Sequence, residues 1–169
     1  DNQRLELFKL IYIENIDGDM KILTNDPQLG DITSTIQCNG MNMIPTHFFN
    51  LDYDKQAMKE LGNYIGSCGA GRFYMAIDGK GNIYPCEYFR DLKIANIRDD
   101  LDTMWLNNVI LLKLRNRSLL KGKCGCCESK YICGGCRKRA FAENNDYLAE
   151  DKNCLKDINE NLLDLSLIH

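Results

Sequence analysis

The sequence predicts an α+β fold, with a small β-hairpin and several short helices organised around a dense set of thiols. Three observations carry this expectation. "CGAGRFYMAIDGKGNIYPC" (68–86) sets two β-prone segments either side of a glycine turn. "DDLDTMWLNNVILLKLRNR" (99–117) and "CLKDINENLLDLSLI" (154–168) repeat apolar residues at helical spacing. "CGCCESKYICGGC" (124–136) packs five cysteines into thirteen residues.

Composition sets the limits. The chain has 169 residues, 44% hydrophobic and 27% charged, with only 3 prolines, which is ordinary globular usage. A formal net charge of −3 argues against a nucleic-acid partner. No apolar run approaches ~18 residues, so no membrane span is expected. No segment reads as a signal peptide. The chain begins at Asp1 rather than Met, so it reads as a processed, trimmed or partial chain.

The elements follow in order. "LELFKLIYIEN" (5–15) is apolar, and helix and strand both fit it. "DMKILTNDP" (19–27) reads as a short strand ending before Pro27. Residues 31–52 read as irregular connection, and "DKQAMKELGNYIG" (54–66) as a short helix with a glycine stop. This region is not expected to form a large core alone and reads as the tail of a bigger domain.

The hairpin at 68–86 turns at "DGKG" and should bring Cys68 beside Cys86. Residues 99–117 read as one amphipathic helix, with Leu101, Met104, Trp105 and Leu112 on one face. Asp99 and Asp100 at its start, and Lys113, Arg115 and Arg117 near its end, suit the helix dipole. Trp105 reads as a packed core residue. "CRKRAFAEN" (136–144) starts a short helix from a cysteine, and Leu155, Ile158, Leu162 and Leu165 mark the last helix.

Nine cysteines in 169 residues are the outlier. Disulfides fit poorly, because the number is odd, Cys126 and Cys127 are adjacent, and no export signal points to an oxidising compartment. Clustered thiols in a reducing cytoplasm point to metal ligation. Cys124 and Cys127, and likewise Cys133 and Cys136, are two residues apart, a gap that turns both sulfurs toward one centre. Gly125, Gly134 and Gly135 permit that tight geometry. Four thiols would suit one zinc. With Cys68, Cys86 and Cys154 the set reaches seven, close to the eight that two cubane clusters need.

The order Cys68, twelve residues, Gly81, four residues, Cys86, a gap, Cys124, two, Cys127, five, Cys133, two, Cys136, a gap, Cys154 is specific. It resembles the seven-cysteine motif of the SPASM domain, the C-terminal auxiliary-cluster domain of many radical S-adenosylmethionine enzymes. The words "CGAGR", "GNIYPC", "IANIRDDLDTMW" and "CGGCRKRA" resemble that family too, over roughly 66–156. One departure is the two-residue gap from Cys133 to Cys136, where the general pattern often has three.

The resemblance implies two [4Fe-4S] clusters. Cys68, Cys86 and Cys136 would hold auxiliary cluster I, and Cys124, Cys127, Cys133 and Cys154 auxiliary cluster II. Cluster I then lacks a fourth thiolate, so its last iron is either open to substrate or bound by Cys38 or Cys126. Cys126 otherwise reads as a spectator and Cys38 as an ordinary thiol. The radical-generating triplet of cysteines, spaced three and two apart, is missing from this sequence. Residues 1–66 would be the remnant of a partial (β/α) barrel with its bridging segment, and 67–169 the SPASM domain with a C-terminal helix. S-adenosylmethionine and a third [4Fe-4S] cluster would belong to an N-terminal part absent here, leaving this chain inactive alone.

The implied full-length protein is a cytoplasmic radical SAM oxidoreductase or maturase. It would modify a peptide, a protein or a tetrapyrrole-type substrate and draw electrons from a ferredoxin or flavodoxin. Two other classes compete: a zinc-binding structural or interaction module, and a stand-alone ferredoxin-like electron carrier. Arg137, Lys138 and Arg139 read as a solvated helix face, with a role in raising a cluster's potential or meeting an acidic substrate as the alternative. Arg72 reads as a structural or substrate contact. "GAG" and "GKG" lack the context of phosphate loops, and His47, His169 and "FFNLDY" (48–53) read as packing or surface residues.

Overall fold

The structure, a computed structural model, describes residues 2–20, 22, 24, 26–29, 31, 60, 66 and 68–157. The apolar stretch near the N-terminus is helix α1, Asn2–Asp17. Leu5, Phe8, Ile11, Tyr12 and Asn15 are buried at spacings of three and four, while Leu7 and Leu10 face solvent. The sequence hid that period because both faces carry leucine.

The strand expected over 19–27 is not formed among the described residues. The buried Asn15 amide takes its place. It donates to the Ile11 and Ile22 carbonyls, both at 2.8 Å, and accepts from the Ile22 N–H at 3.1 Å. A side chain thus satisfies the backbone that a neighbouring strand would otherwise have paired. Asp26 then caps a turn by accepting from the Gln28 N–H at 3.0 Å. The helix expected over 54–66, apart from Glu60 and Gly66, lies outside the described residues, as do Cys38, His47, His169 and the 48–53 aromatics.

The hairpin is present and extends to a third strand. Strands β1 (Ala76–Ile77), β2 (Asn82–Tyr84) and β3 (Ala95–Asn96) form an antiparallel sheet in the order β1-β2-β3. Ala76 pairs with Tyr84, and Asn82 with Asn96. One carboxylate organises the turn. Asp78 accepts from the Lys80 N–H (2.8 Å), the Asn82 N–H (2.9 Å), the Asn82 amide (3.0 Å) and the Tyr84 hydroxyl (3.0 Å). Those donors favour the charged form and hold Asp78 well below the usual carboxylate range. Gly81 closes the turn at a φ of 78°.

The single helix expected over 99–117 is two, α2 (Leu101–Asn107) and α3 (Val109–Arg115). Asn108 makes the break. Its N–H caps the Met104 carbonyl at 3.0 Å, while its side chain accepts from the Ile110 and Leu111 N–H groups at 2.9 and 3.3 Å. One asparagine therefore ends one helix and starts the next. Its amide also donates to the Ile94 carbonyl at 3.2 Å, fixing the kink to the sheet. Asp100 caps α2 through Thr103.

The kink also changes the buried face. Met104, Leu111 and Leu114 are buried, whereas Leu101 and Leu112, expected in the core, are exposed. Trp105 is half-buried at the core's edge, with the Arg115 guanidinium 4.2 Å from its ring centroid. Arg115 also donates to the carbonyls of Gly71 and Trp105, tying the start of the hairpin to α3.

Past a 3₁₀ turn at Arg117–Leu119 come α4 (Gly122–Cys126), a 3₁₀ turn at Glu128–Lys130 and α5 (Arg137–Asn144). Cys136 is the N-cap residue of α5, as the sequence leads one to expect, and Asn145 ends it in the left-handed conformation. Of the last expected helix, Leu155–Asp157 is a 3₁₀ turn and 158–168 lies outside the described residues. Among the described residues, two apolar clusters flank the sheet. Ile83, Met104, Leu111 and Leu114 join the sheet to α2 and α3, and Cys68, Ala70, Tyr84, Cys86 and Phe89 lie on the other side of β2.

Leu111 has no exposed surface, so Leu111→Ala should destabilise the fold by about 3 kcal/mol. Asn108→Ala should cost about 1 kcal/mol through its lost caps, and Asn108→Asp much less. Denaturant unfolding of the three variants measures both.

Candidate metal centres

Four thiols converge on one cavity. Cys124 stands on α4, Cys127 follows it, Cys133 ends the loop beyond, and Cys154 arrives from the segment after α5. Together with Gln28, Asp31, Lys130, Gly134, Gly135, Asp151 and Lys156 they line one small cavity. Backbone N–H groups point at two of the sulfurs, Gly135 at Cys133 Sγ (3.3 Å) and Asp151 at Cys124 Sγ (3.4 Å). Such donors are what a metal-bound thiolate uses to spread its charge. The sulfurs surround the space rather than closing on a point. Among the described residues no three Cys, His, Asp or Glu groups meet around a single ion.

The other three thiols form a second group. Cys68 and Cys86 are buried together in the apolar cluster beneath β2, since the hairpin returns its outer ends to one place. Cys136, at the start of α5, is close enough for its charge to act on both. Burial pushes the Cys86 thiol up to about 11, with Cys68 and Cys136 adding to the rise. Burial likewise raises Cys136 and Cys133. Neutral thiols are thus favoured until a cation or metal compensates them. The Tyr74 ring borders this group and feels all three thiols. It packs on Gly69 with Phe73, its ring centroid 5.4 Å from that of Phe73. Cys126 is exposed, and Cys38 lies outside the described residues.

Between the two groups lie residues whose role the sequence did not disclose. Arg137, expected on a solvated face, is only 1% exposed, and Arg117, read as a helix-end cation, only 3%. Arg137 donates to the carbonyls of Tyr147 (3.1 Å), Ala149 (2.8 Å) and Gly135 (3.4 Å), and to Cys124 Sγ (3.6 Å). Arg117 donates to the carbonyls of Cys68 (2.9 Å) and Gly134 (3.5 Å). Burial lowers the Arg117 pKa, and charge on Cys68, Cys133 and Cys124 opposes that.

The basic run is otherwise paired rather than free. Lys138 meets Asp91 at 2.6 Å, and Arg139 bridges Asp26 (2.8 Å) and Asp151 (2.7 Å). Asp151 links the two thiol groups. Its N–H reaches Cys124, and its carboxylate accepts from the Cys136 N–H at 2.8 Å. Gln28 and Arg4 reach the Asn153 carbonyl, so the N-terminal segment braces the loop that carries Cys154. Only the spacing of "EDKNC" offered a sequence signal for Asp151, and none existed for Gln28. The Arg72 guanidinium lies against Gly66.

The glycines of "CGGC" answer to the arginines. Gly134 and Gly135 have φ of 65° and 64°, a region costly for other residues. A Cβ on Gly134 would sit 2.1 Å from Arg117 Nη1, and one on Gly135 would sit 2.7 Å from Arg137 Nη2 and 3.1 Å from Cys124 Sγ. Gly134→Ala and Gly135→Ala should therefore each lower the thermal midpoint by several degrees, while Gly79→Ala, with open space around it, should leave it within a degree or so. Calorimetry of the three variants decides this.

Comparison with known proteins fits the geometry. A family profile described as an iron-sulfur cluster-binding domain, SPASM, matches residues 68–137. The chain is 40% identical over 89 residues to an "AdoMet-dependent heme synthase" of Methanosarcina barkeri, covering 52% of this chain and 25% of that protein. It is 33% identical over 88 residues to a protein of the same description from Nitratidesulfovibrio vulgaris, covering 52% and 24%. It is also 33% identical over 82 residues to a "Pre-heme d1 synthase" of Dinoroseobacter shibae, covering 46% and 20%. The matched part thus spans about a quarter of the length of these curated relatives. No solved structure gives a significant match. No helix among the described residues is long and apolar enough to cross a membrane. Residues 68–137 of this chain thus match the family model of the SPASM iron–sulfur cluster-binding domain.

Proposed function

We propose that this chain is the auxiliary-cluster part of a radical S-adenosylmethionine enzyme acting on a tetrapyrrole-type substrate, and that it holds two [4Fe-4S] clusters. The observation that carries the proposal is the division of seven cysteines into a group of four around one cavity and a group of three beside it. Cys124, Cys127, Cys133 and Cys154 would hold one cluster by four thiolates. Cys68, Cys86 and Cys136 would hold the other by three, leaving one iron for substrate or for Cys38; the exposed Cys126 is the weaker candidate. The donor set is soft sulfur throughout, with N–H groups aimed at sulfur, and this suits an iron–sulfur cluster.

When bound, such clusters supply one-electron transfer and, where an iron is open, a Lewis-acidic point for a substrate oxygen or nitrogen. The chain's own residues do the rest. The apolar cluster of Ala70, Tyr84 and Phe89 excludes water from the three-thiol group. Phe73 and Tyr74, partly exposed beside it, offer flat apolar faces for an aromatic macrocycle. The names of the relatives support a tetrapyrrole over a peptide or protein substrate. The reductant would be a ferredoxin or flavodoxin in the cytoplasm. S-adenosylmethionine and its own cluster would sit in a further part of a longer protein, with residues 1–66 joining that part to the cluster domain at 67–169.

Anaerobic reconstitution with iron and sulfide should give about eight irons per chain, with a brown colour and two overlapping signals in the EPR of the reduced protein. Cys133→Ser should remove or alter one signal and Cys86→Ser the other. One tightly bound zinc with no stable iron would instead leave a structural module.

A further inference from the structure

Two cations are buried where an ordinary core would exclude them. Arg117 and Arg137 are almost wholly inaccessible, and neither has an ion pair with a carboxylate among the described residues. Their partners among the described residues are backbone carbonyls and one sulfur. Arg117 Nε is buried without a hydrogen-bond partner among the described residues. An uncompensated buried guanidinium costs several kcal/mol, and arginine does not escape by losing its proton. Carbonyl dipoles solvate such a charge but do not neutralise it. Among the described residues, the acidic groups whose charge acts on Arg117 are the thiols of Cys68, Cys133 and Cys124, while Arg137 contacts Cys124 Sγ and acts on the Asp146 carboxylate at longer range.

Their positions differ in a useful way. The Arg137 fork touches Cys124 Sγ, a wall of the four-thiol cavity. Arg117 lies between the groups, bonded to the Cys68 carbonyl on one side and against Gly134, next to Cys133, on the other. The paired glycines give up their side chains to admit both forks.

We infer that Arg117 and Arg137 are the fixed counter-charges of the two sites, Arg137 raising the reduction potential of the four-thiol cluster and Arg117 raising that of both. This rests on the two-cluster reading above. Each electron added to a cluster adds a negative charge, and a fixed cation nearby in a dry site stabilises that charge. Both act as positioning charges, touching neither substrate nor the reacting atoms.

The test is an EPR-monitored redox titration of the reconstituted chain, with iron content measured alongside. Arg137→Gln should lower the midpoint of the four-thiol cluster, making its reduced fraction at fixed potential about tenfold smaller, equivalent to 59 mV for one electron. The three-thiol cluster should move much less. Arg117→Gln should lower both midpoints. Arg137→Lys and Arg117→Lys keep the charge and should stay near the wild-type values. Full iron content with unmoved midpoints in the Gln variants would overturn the inference. So would Lys variants that load iron yet shift as far as the Gln variants, or that lose iron as completely. If a Gln variant fails to load, a loaded Lys variant with a wild-type midpoint supports a need for the charge. A wild-type chain that binds zinc and no iron would overturn the two-cluster reading itself, which keeps the two failures distinct.

Discussion

Two guanidinium groups buried against the backbone of Gly134 and Gly135 are the interaction around which the domain is arranged. Each reaches between segments far apart in sequence. Arg117 joins the turn after α3 to the start of the hairpin, and Arg137 joins α5 to the loop at 147–149 and to Cys124. A domain with small apolar clusters and two-residue and three-residue strands has limited hydrophobic stabilisation to draw on. Polar cross-links of this kind, together with bound metal, are the usual substitute in such small cores. They succeed only when every charge has an answer, which ties the fold to the state of its thiols.

Asp151 supplies the second constraint. Its backbone faces one thiol group, its carboxylate the other, and Arg139 holds that carboxylate in place while also gripping Asp26. The N-terminal segment is thereby attached to the cysteine-bearing segments through a buried acid and a shared arginine. Desolvation and several donors compete at Asp151, and the donors hold its carboxyl below the usual range. An electrostatic joint of this type fixes orientation more than it adds stability.

The sequence disclosed the chemistry more fully than the backbone. The glycine turn between two β-prone segments identified the hairpin, and it was legible because few residues other than glycine take a positive φ at low cost. The break at Asn108 was hidden, because an asparagine inside an apolar period looks like a tolerated surface residue until its caps are seen. The third strand was hidden because Ala95–Asn96 is too short to show alternation. The buried arginines were misread for a general reason. Charge next to a cysteine reads as surface, and only the burial of that charge reveals that something must compensate it. Asn15 standing in for a strand partner is equally invisible to periodicity, since it depends on one side-chain amide meeting one backbone residue.

The most direct measurement is anomalous X-ray scattering at the iron edge from crystals of the anaerobically reconstituted chain. Two separate iron peaks are expected, one enclosed by Cys124, Cys127, Cys133 and Cys154 and one against Cys68, Cys86 and Cys136, with Arg117 between them. A single peak, or a signal at the zinc edge alone, would contradict the division of the thiols into two iron–sulfur sites.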